Sequence, residues 1–188
     1  MGVASIEDAL IADTHAAYGK TLKTVDHLPG EWNAQTLRQM ATNAPAVYWA
    51  YLGGKRHPRR DGCELCVFHA YVFTGAGNDE KQRRRGDALA LGAYQLVDTL
   101  VGYFDERAVP DAEALKWLRT DNIYDDFLHA NGLTSYRIAF ELVRDMPRKP
   151  TTSELGEFLK SYQTYDPAPV GGKTLGTDKL QVRAQEGS

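Results

Sequence analysis

The sequence predicts an α+β fold: an antiparallel, in part mixed, sheet with an N-terminal helix and one long helix packed on a face, the helices lying on one side. Three observations carry this. Two apolar, aromatic-rich runs, 46–52 and 63–74, flank a Gly-bounded basic segment, which is the pattern of an antiparallel hairpin. Residues 79–104 repeat Ala90, Ala93, Tyr94, Val97, Leu100, Val101 and Phe104 at helical spacing. Residues 134–146 set Tyr136, Ile138, Phe140 and Leu142 against Arg137, Ala139 and Glu141 with a period of two.

Residues 5–18 read as the first helix. Ser5 supplies a cap, with Asp8 three positions on, and Gly19 a stop. Residues 20–28 place Leu22 and Val25 among Thr and charged residues, a short half-exposed strand closed by Pro29-Gly30. A short helix over 33–42 follows, with Leu37 and Met40 three apart and Asn33 or Asn43 as punctuation. The strand 46–52 is apolar on both faces, as a central strand is, and Gly53-Gly54 ends it. Residues 55–62 form a basic turn, and 63–74 the return strand. Asp79 caps the long helix over 79–104, with Gln82 as its partner. Further strands are expected over 115–124 and 134–146, and 155–165 reads as another strand or the start of a helix, with strand preferred. Residues 1–165 thus form one domain. Residues 166–188 hold no aromatic side chain, and we expect them to be a flexible or extended arm.

The 188 residues suit one domain, and 43% hydrophobic with 25% charged residues excludes a disordered chain. A net charge of −3 argues against a dedicated nucleic-acid binder, which usually carries a basic excess. Two cysteines are too few for a disulfide framework. The first residues lack a basic and then apolar leader, and no apolar run approaches the ~18 residues of a membrane span. The expectation is a soluble protein made in a cytoplasm, with no membrane role.

Few motifs carry chemistry. His57, Cys63, Cys66 and His69 are the right residue types for zinc. In an extended strand, however, residues three apart point to opposite faces, so Cys63 and Cys66 diverge. Gly75-Ala76-Gly77 opens a helix after a strand, but Glu80 stands where a dinucleotide fingerprint needs its third glycine. Gly171-Gly172-Lys173-Thr174 is half a phosphate loop, with Pro167 in place of the first glycine. The adjacent carboxylates Asp125 and Asp126 read as a solvated turn. No catalytic set, metal or cofactor is expected. What remains is basic surface. Lys55, Arg56, His57, Arg59 and Arg60 gather at the hairpin tip, and Arg84 and Arg85 lie in a second cluster. All seven are candidate contacts to a partner or to further copies.

Several segments together carry a resemblance: Ile6-Glu7-Asp8-Ala9-Leu10, Leu22-Lys23-Thr24-Val25, Leu28-Pro29-Gly30-Glu31, the short helix, Ala44-Pro45-Ala46-Val47, the Gly-Gly turn, the Phe68–Phe73 strand and Arg84-Arg85-Gly86 before the long helix. Over roughly 5–145 the chain resembles the Mu-like phage tail-terminator, or tail-completion, family. The Cys-x-x-Cys and the long tail stand outside that pattern. The resemblance implies a virion part that is no enzyme, assembled in the host bacterial cytoplasm and residing in the tail. It implies a homo-oligomeric ring, commonly six-fold, that caps the tail tube and stops its polymerisation. Such a ring meets tube and sheath proteins, offers a surface to the head–tail connector and lets DNA pass. The source is a phage or a prophage. The alternatives are a head–tail adaptor of the same virion, or a small metal- or nucleotide-binding module built on the Cys63–Cys66 region.

Overall fold

The computed structural model describes residues 2–29, 34–75, 79–87, 90–123, 126–147, 151–153 and 155. Contacts divide the chain into two units, Met1–Pro147 and Arg148–Ser188. The domain boundary expected at 165, most of the strand expected over 155–165, and the arm lie outside the described residues. In the second unit Thr152, Ser153 and Leu155 are helical, and the Leu155 N–H donates to the Thr151 carbonyl.

The first unit is α+β, as its sequence predicts. Its elements are α1 (Val3–Tyr18), β1 (Thr24–His27), α2 (Ala34–Thr42), β2 (Ala46–Arg56), β3 (Cys63–Thr74), α3 (Glu80–Arg85), α4 (Ala93–Phe104), β4 (Lys116–Asn122), α5 (Asp126–Ala130) and β5 (Thr134–Asp145). The sheet order is β1-β2-β3-β5-β4. Only the β1–β2 pair is parallel.

Strand alternation sorts the core into two clusters. On one face Val47, Trp49, Cys66, Phe68, Ala70, Val72, Tyr136, Ile138, Phe140 and Leu142 meet Ile6 and Leu10 of α1 and Leu96, Leu100 and Phe104 of α4. On the other, Ala46, Tyr48, Tyr71 and Phe73 meet Met40 of α2 and Leu128 of α5. Helices therefore cover both faces, where one-sided cover is the sequence expectation. This is why β3 reads as a continuous apolar run rather than an alternating one.

Four local expectations also change. The helix expected over 79–104 is two. Asp79 caps α3 by accepting from the Gln82 N–H at 2.7 Å, but Gly86 takes φ +72° and ends it after six residues. Helix α4 restarts after Gly92, whose N–H donates to the Gln95 side chain. Second, α1 starts at Val3 with Gly2 at its cap, so Ser5 lies in the first turn and makes no cap. Third, Gly53-Gly54 do not end β2. A bulge between Tyr51 and Gly53 shifts the register and the strand runs on to Arg56. Fourth, the five-residue α5 precedes β5 where only a turn was expected.

Candidate assembly surface

The β2–β3 hairpin brings the first basic cluster together. Residues 57–62 form its turn. The His57 N–H donates to the Cys63 carbonyl at 2.9 Å, and Gly62 at φ +76° reverses the chain. The Met146 N–H donates to the Gly62 carbonyl, so β5 follows the hairpin to its tip. Lys55 and Arg56 stand on the end of β2, not in the turn. Lys55 and Arg59 are exposed and form no ion pair among the described residues. Arg56 faces Asp61 at 3.7 Å. His57 is half-buried, and its Nδ1 accepts from the Arg59 N–H at 3.2 Å. Arg60 pairs with Glu113, whose carboxyl it holds below the usual range through their hydrogen bond. Both line a mixed-charge cleft of about 330 Å³ with Asp111, Arg144 and Asp145.

The tip end of the hairpin is braced by β5. Arg144 Nη2 donates to Glu64 Oε2 at 2.7 Å and its Nε to the same oxygen at 3.1 Å. Glu64 Oε1 accepts from the Tyr51 hydroxyl at 3.2 Å. Burial, then the neighbouring Cys66 and Glu64, push Tyr51 up to about 12. Burial also raises the Cys66 thiol. Cys66 is therefore a core thiol, not an exposed nucleophile.

The four candidate metal ligands do not converge. Cys63 lies beside Asp145, with Sγ 3.9 Å from a carboxylate oxygen. Cys66 is fully buried on the opposite face. His69 shares the Cys63 face, but six strand residues away, or ~20 Å. Burial first, then Arg137 and Arg119, lower the His69 pKa to about 4. Among the described residues no group of three or more His, Cys, Asp or Glu side chains could hold a metal ion.

The second basic cluster divides. Arg83 is buried, 8% exposed, against α3's surroundings. Arg84 pairs with Glu80 at 2.7 Å, where His129 Nδ1 also arrives at 3.0 Å. Arg85 is exposed and forms no ion pair among the described residues. So Arg85 faces solvent, while Arg84 is engaged within its own subunit. Of the sequence motifs, Ala76 and Gly77 and the whole Gly171–Thr174 segment lie outside the described residues, as does Asp125. Sequence reasoning missed the groove behind the hairpin tip, because nothing in the residue pattern marks a bulge at Leu52.

Fold and surface together define an α+β protein whose β2–β3 hairpin carries an exposed basic cluster at its tip and is braced by the Arg144–Glu64 ion pair. Sequence comparison supplies the family. A family model described as Bacteriophage Mu, Gp37 matches residues 2–143, and the chain belongs to that family. It is similar to the Mu-like prophage FluMu protein gp37 of Haemophilus influenzae, 29% identical over 189 residues, covering 97% of this chain and 92% of that protein. It is also similar to a probable tail terminator protein of Escherichia phage Mu, 24% identical over 160 residues, covering 85% of this chain and 84% of the relative. The resemblance read from the sequence is thereby borne out.

Proposed function

We propose that this chain is a non-enzymatic tail protein of a Mu-like phage or prophage, and that it terminates the tail. Copies close into a ring, a hexamer, on the finished end of the tail tube. The ring stops further addition of tube subunits, presents a surface to the head connector and leaves a channel for DNA. Assembly takes place in the host cytoplasm, and the product remains in the virion tail. The observation that carries this reading is the match to a probable tail terminator over 85% of the chain, beside a family match over residues 2–143 that spans the sheet and its helices. The exposed basic side chains Lys55, Arg56, Arg59 and Arg85, together with His57 and Arg60 at the tip, are contacts in this reading. The segment 166–188 acts as an arm reaching a neighbour. Arg84 supports α3 through Glu80.

Native mass measurement and sedimentation at several concentrations test this, on the protein alone and with isolated tail tubes. The expected result is a closed oligomer of one size, on the tube if not in free solution, and tubes that no longer elongate. A strict monomer in both settings, or tubes that keep growing, overturns it.

A further inference from the structure

A closed ring is a heterologous assembly, so each subunit carries two different, complementary patches. Two surfaces of this chain stand in that relation, and a contact between them rests on the ring reading.

The first is a groove just behind the tip of the β2–β3 hairpin. The bulge leaves Leu52 without a cross-strand partner and 50% exposed. Leu52, Gly53, Gly54, Lys55, Leu65 and Val67 enclose about 370 Å³ of shallow, apolar space. Leu65 and Val67 lie on the same face of β3 as Tyr71 and Phe73, which α2 and α5 cover further along. Among the described residues no helix covers the groove end of that face. Lys55 stands at the groove and gives the apolar floor a basic edge, with exposed Arg59 four residues on in the turn, while Arg56, cross-strand from Glu64, lies on the opposite face.

The second is the outward side of α4. Its inward side, Leu96, Leu100 and Phe104, is core. Outward it shows exposed Asp98 and Gly102; beside them lie Tyr94, 39% exposed with its ring edge-on to Tyr136, and half-buried Val97 and Val101, whose inner sides pack on the core. The helix contains no Lys or Arg, and Asp105 and Glu106 follow it. Asp98 and Glu106 form no ion pair among the described residues. A Cβ placed on Gly102 would meet nothing within 4 Å. Glycine is the costliest helix-interior residue after proline, and nothing inside the subunit calls for it there. It does allow another backbone to come close.

The groove and α4 lie on opposite faces of the sheet, so one copy can offer both at once. We propose that α4 of one copy docks in the hairpin groove of the next. Tyr94 and Val101 cover Leu52, Leu65 and Val67, and Gly102 admits the close approach. Lys55 and Arg59 meet Asp98 and the acidic end of the helix. The contact repeats from copy to copy in one direction, the kind of contact that builds a ring when the rotation between copies closes.

The test uses the full chain in three forms: Lys55→Glu/Arg59→Glu, Asp98→Lys, and the triple variant. Sedimentation and native mass are read alone and on isolated tail tubes. All three positions are exposed, so urea midpoints stay at the wild-type value and separate assembly from folding. Each of the first two variants alone weakens association between copies at least tenfold. The triple variant restores it. Mixing the first two variants also restores it, as alternating assemblies, because each one's helix then suits the other's groove. Carbodiimide joins Lys55 of one wild-type copy to Asp98 of another. Variants that assemble as wild type does overturn this contact and leave the ring reading standing. So does loss of assembly that neither the triple variant nor the mixture repairs, which assigns the basic groove to an acidic partner of another kind. A wild-type chain that is monomeric even on the tube overturns the ring reading itself.

Discussion

The Trp49 indole is the residue on which the larger core cluster turns. Its ring meets Phe104 edge-on at 5.0 Å and Phe140 at 5.7 Å, so one side chain from β2 ties α4 to β5. Its Nε1–H has to be satisfied in that apolar setting. It donates to Thr14 Oγ1 at 2.9 Å, and the Thr14 hydroxyl donates on to the Leu10 carbonyl at 2.7 Å. Thr14 is fully buried, so Thr14→Val keeps the shape and strands the indole N–H. The expected loss is about 1–3 kcal/mol, read as a lower urea midpoint, with Thr14→Ser close to wild type. His69 acts on a different axis. Its folded pKa of about 4 lies below the ordinary 6.5, chiefly through burial. As pH falls through that interval the unfolded chain takes the proton first. Its contribution to stability is therefore complete above about pH 6.5 and lost as pH falls through about 4. In His69→Gln, the drop in urea midpoint between about pH 7 and about pH 4.5 is smaller than in wild type.

At the scale of elements, the break between α3 and α4 shows what periodicity hides. The capped, charged run 79–85 leads into an apolar repeat that starts at Ala90 and continues past Gly92, so the segment reads as one helix with solvated first turns. The backbone says otherwise. A Cβ on Gly86 would stand 2.6 Å from the Gly92 nitrogen, and one on Gly92 would stand 2.1 Å from the Gly86 nitrogen. The two glycines let the chain fold back on itself, and the Asp87 N–H donates to the Ala90 carbonyl at 2.9 Å to close the loop. Gly86→Ala meets both the positive φ and the contact, for an expected loss of about 1–3 kcal/mol in urea unfolding. The hairpin was legible because two apolar runs flank a polar tip. Its bulge at Leu52 was not, since a register shift depends on the partner strand rather than on local composition. Helix α5 has five residues, too few for a periodic signal of its own. The basic tip was readable as charge. That Arg84 binds Glu80 while Arg85 faces solvent depends on how α3 lies, which the charge run alone does not encode.

At the scale of the whole molecule, two kinds of force are segregated. The first unit is held by two apolar clusters, one on each face of the sheet. Exposed pairs such as Arg56 with Asp61 contribute little to that. The proposed contact between copies is the reverse, with a small apolar area and charges of opposite sign on its rim. The chain's net charge of −3 sharpens this, because like-charged subunits repel except where the basic tip is turned toward an acidic helix. Salt therefore separates folding from assembly. Between about 0.1 M and about 1 M NaCl the screening length falls from ~10 Å to ~3 Å. Association between copies then weakens about tenfold or more by sedimentation, while the thermal midpoint of the subunit changes little. An assembly held by apolar burial alone would behave oppositely, because screening leaves such burial intact.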